Sequence, residues 1–342
     1  MSHARFATWG SLSVLLGAAG AAHADPSVLL RFASEAPQGT AWAREGQALE
    51  RDIADLTHGQ VRIKWYLGGI AGDEAQMLDR MRRDQLDGVA SGGMMCQKLA
   101  PSMRVMRIPG LFQSRDESQY VSGRLKDQFD HEMLHNGFVN LGELGIGPDV
   151  LFSRKPISDY AQLRATNTWI WDLDDVYKSA LVTMGFNVVP SSLQGAYRTF
   201  EDGKIDAFLA VPTAALAYQW SAETRYYSDL RTSFLRGCLI VTSRAFDQLP
   251  IEGQHAVKQA TARVIVRLEE VGREEDDALL GGLFAKQGLK PVPVSESFRS
   301  EFYAAARAMR EQLGERLVPA PLLQRVLGLL ADYRAERRAP GN

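Results

Sequence analysis

SRKPISDYAQLRATNTWIWDLDDVYKSALVTMGFNVVPSSLQGAYRTFEDGKIDAFLAVP, residues 153–212, is the stretch that decides the fold. A loop carrying KPI leads to a short apolar strand, TWIWD at 168–172, then a helix, then a second strand around NVVP at 187–190. GAYRTFEDG at 195–203 reads as another short helix and KIDAFLAVP at 204–212 as a third strand. Strands alternating with helices at this spacing mark a parallel α/β unit.

The same rhythm holds upstream. VLLRFA at 28–33 reads as a strand, and Thr40 caps a helix with Trp42, Ala43, Leu49, Ile53 and Leu56 at helical spacing. VRIKWY at 61–66 alternates as a strand, Asp73 caps a helix with the stripe Met77, Leu78, Met81, and Gly88-Val89-Ala90 enters a third strand. A helix is expected over 116–134, a strand over 138–144 that crosses into a second domain, and an apolar strand over 233–243. A long helix over 250–286, a strand over 288–294 and helices over 298–313 and 321–334 complete the chain. Glu270 and Glu274 near Arg267 and Arg273 read as support on the outer face of the long helix.

With 342 residues, 45% hydrophobic and 23% charged, the chain has material for two globular domains. Its formal charge of −2 leaves no electrostatic footprint for nucleic acid. Arg5, an apolar run over 6–22 and the Ala22-His23-Ala24 site read as a secretory signal peptide over 1–24, which places the mature chain in the periplasm. Cys96 and Cys238 fall in the exported part, where a disulfide is permitted; two buried thiols are the default reading. The histidines show no metal spacing, so no metal or cofactor is expected. No catalytic motif stands out: Asp130-His131-Glu132 reads as a solvated helix face, and an enzyme is the disfavoured reading.

Several pieces in order resemble the extracytoplasmic solute-binding proteins of TRAP transporters, of the dicarboxylate-receptor type. They are LTHGQVRIKWYLGGIAGDE at 56–74, LDGVASG at 86–92, IPGLF at 108–112, the opening stretch, and SFLRGCLIVTSRAFDQLPIEGQ at 233–254 with the long helix after it. The resemblance implies an α/β, two-lobed periplasmic-binding-protein fold with a hinged cleft and a long helix spanning both lobes. Lobe I would take 25–138 and 213–250, lobe II 139–212 and 251–294, with C-terminal helices over 295–342. It also implies a small-molecule ligand and TRAP membrane subunits as partners. A helical-repeat lipoprotein is the alternative partner.

In that family the strand after the KPI loop usually carries an arginine that holds the ligand carboxylate. Here Trp169 takes that place, with Trp171 on the same strand face. The family's asparagine position is Ala210, next to Phe208, and a position that is basic in some carboxylate receptors is Asp149. Arg154 and Arg164 are the nearest possible substitutes for the missing arginine. A carboxylate here would be desolvated without a partner, at several kcal/mol. The expected ligand is therefore flat and apolar or aromatic; an ammonium against tryptophan faces, near Asp149 or Asp172, is the alternative. From the first lobe Ser34, Glu35, Trp42, Met94 and Met95 join Trp169, Trp171, Phe208, Ala210 and Asp149 as candidate ligand contacts.

Overall fold

Two long strands organise the molecule, and the computed structural model describes residues 27–338 around them. The expected signal peptide lies outside the described residues. Strand β4 (Phe138–Ser153) runs antiparallel to β8 (Tyr226–Thr242) from the pair Phe138↔Thr242 to the pair Ser153↔Tyr226. To one side stand β3 (Gly88–Ser91), β1 (Val28–Ala33) and β2 (Val61–Tyr66), in that order away from β8. To the other stand β7 (Ala207–Ala210), β5 (Asn167–Trp171) and β6 (Asn187–Ser191), in that order away from β4. Within each flank the strands are parallel, as the alternation with helices requires. A short β9 (Lys290–Pro291) pairs with the start of β8.

Both crossing strands are longer than the sequence expectation. LGELGIGPD, residues 141–149, looks like a glycine-rich loop. It stays in the sheet because β8 supplies partners past three register slips. Gly147 is required at one of them: a Cβ there would lie 2.5 Å from Val211 and 2.6 Å from Asp276. β8 likewise starts at Tyr226, not near 233. The expected lobe boundary at 138/139 therefore falls in β4, which serves both flanks, and the one at 212/213 falls in the short helix Pro212–Ala217.

The long helix is Ile251–Ala278, followed by a π turn at Leu279–Leu283, where Gly282 has φ 140, and by Phe284–Lys286. The expected single helix over 250–286 is thus broken at Gly281-Gly282. Its charges also act differently from expectation. Arg267 reaches across to the helix Ala41–Leu56, pairing with Glu45 at 2.8 Å and Asp52 at 3.4 Å. The C-terminal helices tie the flanks together. Glu296–Leu313 packs on the second-flank helices Asp175–Thr183 and Tyr160–Ala165, and Ala320–Arg338 packs on Arg115–His135 of the first. One buried cluster accordingly mixes Val121 and Phe129 with Ile170 and Tyr177, joined by Phe298, Phe302 and Val326.

The two cysteines form a disulfide, which overturns the default of free thiols. The β3–β8 register pairs Ser91 with Cys238, and the helix Met94–Leu99 turns Cys96 back over that pair, at a Cα separation of 6.0 Å. Closing a loop with a sequence separation of 142 residues restricts the unfolded chain. In the chain-entropy limit that contributes about 5 kcal/mol, and native bridges typically give about 2–5 kcal/mol. The double variant Cys96→Ser, Cys238→Ser is expected to keep its secondary structure and lose about 2–5 kcal/mol in denaturant unfolding. An unchanged unfolding midpoint would show that the bond adds no stability.

Candidate functional site

The carboxyl ends of parallel strands from both flanks converge on one cavity of about 180 Å³. Such strand ends are where ligands bind in open α/β sheets. β1 delivers Ser34 and Glu35, β3 leads to Ser91 and Gly92, β5 carries Trp169 and Trp171, and β7 runs into Ala210 and Val211. Trp42 and Leu49 come from the helix Ala41–Leu56, and Val264 and Leu268 from the long helix. Trp42, Trp65, Trp169, Trp171 and Trp220 line the cavity, which is every tryptophan among the described residues.

The aromatic wall is fixed by its own contacts. Trp169 donates its indole N–H to Ser191 Oγ at 2.8 Å and lies 4.8 Å from the Trp220 ring. Trp220 stacks on Tyr218 at 5.0 Å. Trp65 meets Phe32 edge-on at 5.4 Å. The indole N–H groups of Trp65 and Trp171 are buried without a partner.

The charged groups divide into two sets. Arg107, 7% exposed, comes from the 3-10 helix Pro101–Arg107 and enters the wall beside β4. Its guanidinium donates to Asp174 at 2.5 Å, to Ser233 Oγ at 2.5 Å and to Asp149, and it stacks on the Tyr177 ring at 4.0 Å. Ser233 in turn donates to Asp149 at 2.6 Å, and the Tyr177 hydroxyl bonds Thr232 at 2.7 Å. Burial acts to lower the Arg107 pKa, but the Asp149 and Asp174 carboxylates outweigh it and the net shift is upward. This arginine is a cation already paired with two anions.

The second set is acidic. Glu74 is 3% exposed and accepts from Ser91 Oγ at 2.7 Å and from the backbone N–H groups of Gly92 and Met95, each at 2.5 Å. Burial nonetheless raises its pKa. Glu35 is 7% exposed. One of its carboxyl oxygens accepts from Gln194 Nε2 at 2.8 Å, and the other has no partner. Burial, then the proximity of Glu74, Asp73 and Asp172, push Glu35 up to about 8. Gln194 starts from the second flank, as does Tyr218, whose hydroxyl donates to the Glu35 carbonyl at 3.1 Å. Glu35 is thus where the two flanks meet over the cavity.

Of the candidate contacts, Ser34, Glu35, Trp42, Asp149, Trp169, Trp171 and Ala210 line the cavity, while Phe208, Met94 and Met95 do not. Phe208 lies deeper along β7, between Phe152 at 4.8 Å and Phe200 at 5.5 Å. Met94 and Met95 turn into two hydrophobic clusters. Asp149, offered as a ligand acceptor, is occupied by Arg107 and Ser233. Arg154 donates to the Phe200 carbonyl at 2.7 Å and Arg164 lies over the Tyr160 ring at 6.0 Å, so neither replaces the missing strand arginine. Sequence reasoning missed Arg107, Glu74, Trp65, Tyr218 and Trp220. Glu74 had a signal, an acid directly behind the Asp73 cap at the mouth of a glycine turn; Arg107 had none, since its partners are far away in sequence. No group of His, Cys, Asp or Glu among the described residues is arranged to hold a metal ion, and none of the described helices is long and apolar enough to cross a membrane.

Residues 32–316 match the model of the bacterial extracellular solute-binding proteins, family 7. A solute-binding protein of Chromohalobacter salexigens is 22% identical over 223 residues, 63% of this chain and 65% of that protein's length. The fold is shared with a Bordetella pertussis extracytoplasmic solute receptor binding pyroglutamic acid (TM-score 0.81, 18% identity, 89% of this chain and 100% of that one). It is also shared with a TRAP periplasmic solute-binding protein of Xanthobacter autotrophicus with bound galacturonate (TM-score 0.80, 18% identity, 88% and 99%). The two-lobed architecture, the crossing strands and the cavity at the strand ends thus have their place in a known group: the chain belongs to family 7 of the bacterial extracellular solute-binding proteins.

Proposed function

We propose that the protein is a periplasmic receptor that captures a small apolar or aromatic ligand in this cavity and delivers it to a TRAP-type membrane transporter. One observation carries the ligand class. β5 presents Trp169 and Trp171 to the cavity, and Arg107, the one cation among the described lining residues, is bound by Asp149 and Asp174. A carboxylate entering here meets Glu35 and Glu74 and no unpaired cation, with only the neutral Trp65 and Trp171 N–H groups as open donors, whereas an apolar surface meets indoles and aliphatic side chains. The solved relatives described above hold acids, whereas the described lining of this cavity offers one cation, Arg107, and that is paired with Asp149 and Asp174. Delivery to TRAP membrane subunits follows from the family; the leader sequence supports the periplasm.

Two measurements check this reading. Organic extraction of the purified protein, followed by mass spectrometry, is expected to release an apolar compound. Thermal unfolding is expected to shift upward with apolar or aromatic compounds and not with sugar acids or dicarboxylates. A ligand present at about 100 times its Kd stabilises by about 2.7 kcal/mol. A strong shift with a simple carboxylate would refute the proposal. Trp169→Arg puts an unpaired charge against Trp220 and is expected to weaken apolar binding at least tenfold; unchanged affinity removes Trp169 from the site.

A structural role for Arg107 is separately testable. Arg107→Met strands two buried carboxylates and is expected to lower stability by about 3–5 kcal/mol. Adding Asp149→Asn and Asp174→Asn is expected to restore part of that loss. If Arg107→Met leaves stability intact but abolishes binding, the arginine belongs to the ligand.

A further inference from the structure

Three buried polar groups of the described cavity wall lack a partner, the Trp65 and Trp171 indole N–H groups and one oxygen of Glu35, and Glu35 alone among them is ionisable. Glu35 is held between the flanks with one carboxyl oxygen on Gln194 and the other unpartnered, at 7% exposure. Leaving a buried acceptor unmet is unfavourable, and more so for a charged group. The surroundings do not supply the missing partner. Glu74 from the next helix faces the same space, but its oxygens are taken by Ser91, Gly92 and Met95. Asp73 and Asp172 add negative potential, and Tyr218 gives its hydroxyl to the Glu35 backbone. Arg107, the only cation among the described lining residues, is committed to Asp149 and Asp174. The cavity is therefore electronegative where Glu35 stands and aromatic elsewhere.

We infer that the ligand carries one ammonium group, which Glu35 binds, on a body of about one ring that the tryptophans enclose. This rests on the reading of the cavity as the receptor site for a largely apolar ligand, and it names the polar end of that ligand. An ammonium suits both parts of the wall. It is a donor for the orphan carboxyl oxygen, and a cation is attracted to indole faces, most where water is excluded. The size follows from the volume. A cavity of about 150 Å³ accommodates benzene, so about 180 Å³ takes a single ring with a short arm. The raised pKa of Glu35 fits a carboxyl waiting for a counter-ion, since burial and neighbouring acids hold its proton until a cation arrives.

Three probes of one shape separate this inference from the reading beneath it: phenethylamine, phenethyl alcohol and 3-phenylpropionate. Binding is followed by tryptophan fluorescence and calorimetry on the mature protein at pH 8. The amine is expected to bind at least tenfold tighter than the alcohol, and the carboxylate least. Equal binding of amine and alcohol overturns the ammonium and leaves the apolar site standing. Preference for the carboxylate, or no binding by any of the three, overturns both. Glu35→Gln keeps the Gln194 contact in reach and is expected to weaken the amine at least tenfold, with the alcohol within threefold. An unaffected amine overturns the assignment to Glu35. The unaltered protein gives an independent reading if that variant does not fold. At pH 7 Glu35 still holds its proton, so pairing with an ammonium must release it. Calorimetry in two buffers of different ionisation enthalpy is expected to show close to one proton released per amine bound, with affinity rising from pH 6 to pH 8. Zero release with no pH dependence overturns the pairing.

Discussion

The antiparallel ladder between β4 and β8 is the constraint on which everything else hangs. In strand pairing, the described flanks are joined through it: β3 pairs with the C-terminal half of β8, and β7 with the C-terminal half of β4. The two flanks therefore attach at opposite ends of one pair of strands. That offset leaves the carboxyl ends of both parallel sets facing each other across the middle of the ladder. The middle is also where the register slips and where Gly145, Gly147 and Gly237 sit. A side chain at Gly237 would lie 2.4 Å from the Ser91 carbonyl. The irregular backbone that looks like a loop in sequence is what brings Leu144, Ile146 and Asp149 to the cavity wall.

Charge in that wall follows from the ladder as well. Asp149 is on β4, Ser233 on β8, and Arg107 arrives from outside the sheet to neutralise them with Asp174. A lone Asp149 at 2% exposure would be a strongly unfavourable buried charge. Once paired, it is unavailable to a ligand, and so is the arginine. The wall then contributes shape, aromatic faces and the remaining acid, Glu35.

How much of this was legible in the sequence differs by scale. Strand and helix order was legible because it is local: apolar runs, the Thr40 and Asp73 caps, and glycine turns each lie within a few residues, and both caps form as read. Trp169 and Trp171 were legible as cavity residues through the family's strand position. Three things were not. The lengths of β4 and β8 depend on partners far away in sequence, from Ser153↔Tyr226 at one end to Phe138↔Thr242 at the other. Asp149 looked free because Arg107 stands 42 positions earlier, in a 3-10 helix with no periodic signal. Phe208 looked like lining because alternation tells which face a residue takes but not how deep along the strand the cavity reaches. Ala210, two residues on, lies at the cavity, while Phe208 is already enclosed by phenylalanines.

The tryptophans connect these scales. Trp169 and Trp171 belong at once to the cavity lining and to a hydrophobic cluster with Phe152, Phe200 and Phe208. A strand residue that serves both cannot be exchanged for an arginine without disturbing the core of the second flank. In a receptor whose strand carries a cation, that cluster must be built without these indoles. The identity of this strand position is thus set by the packing of the flank as much as by the cavity, and not by one local contact.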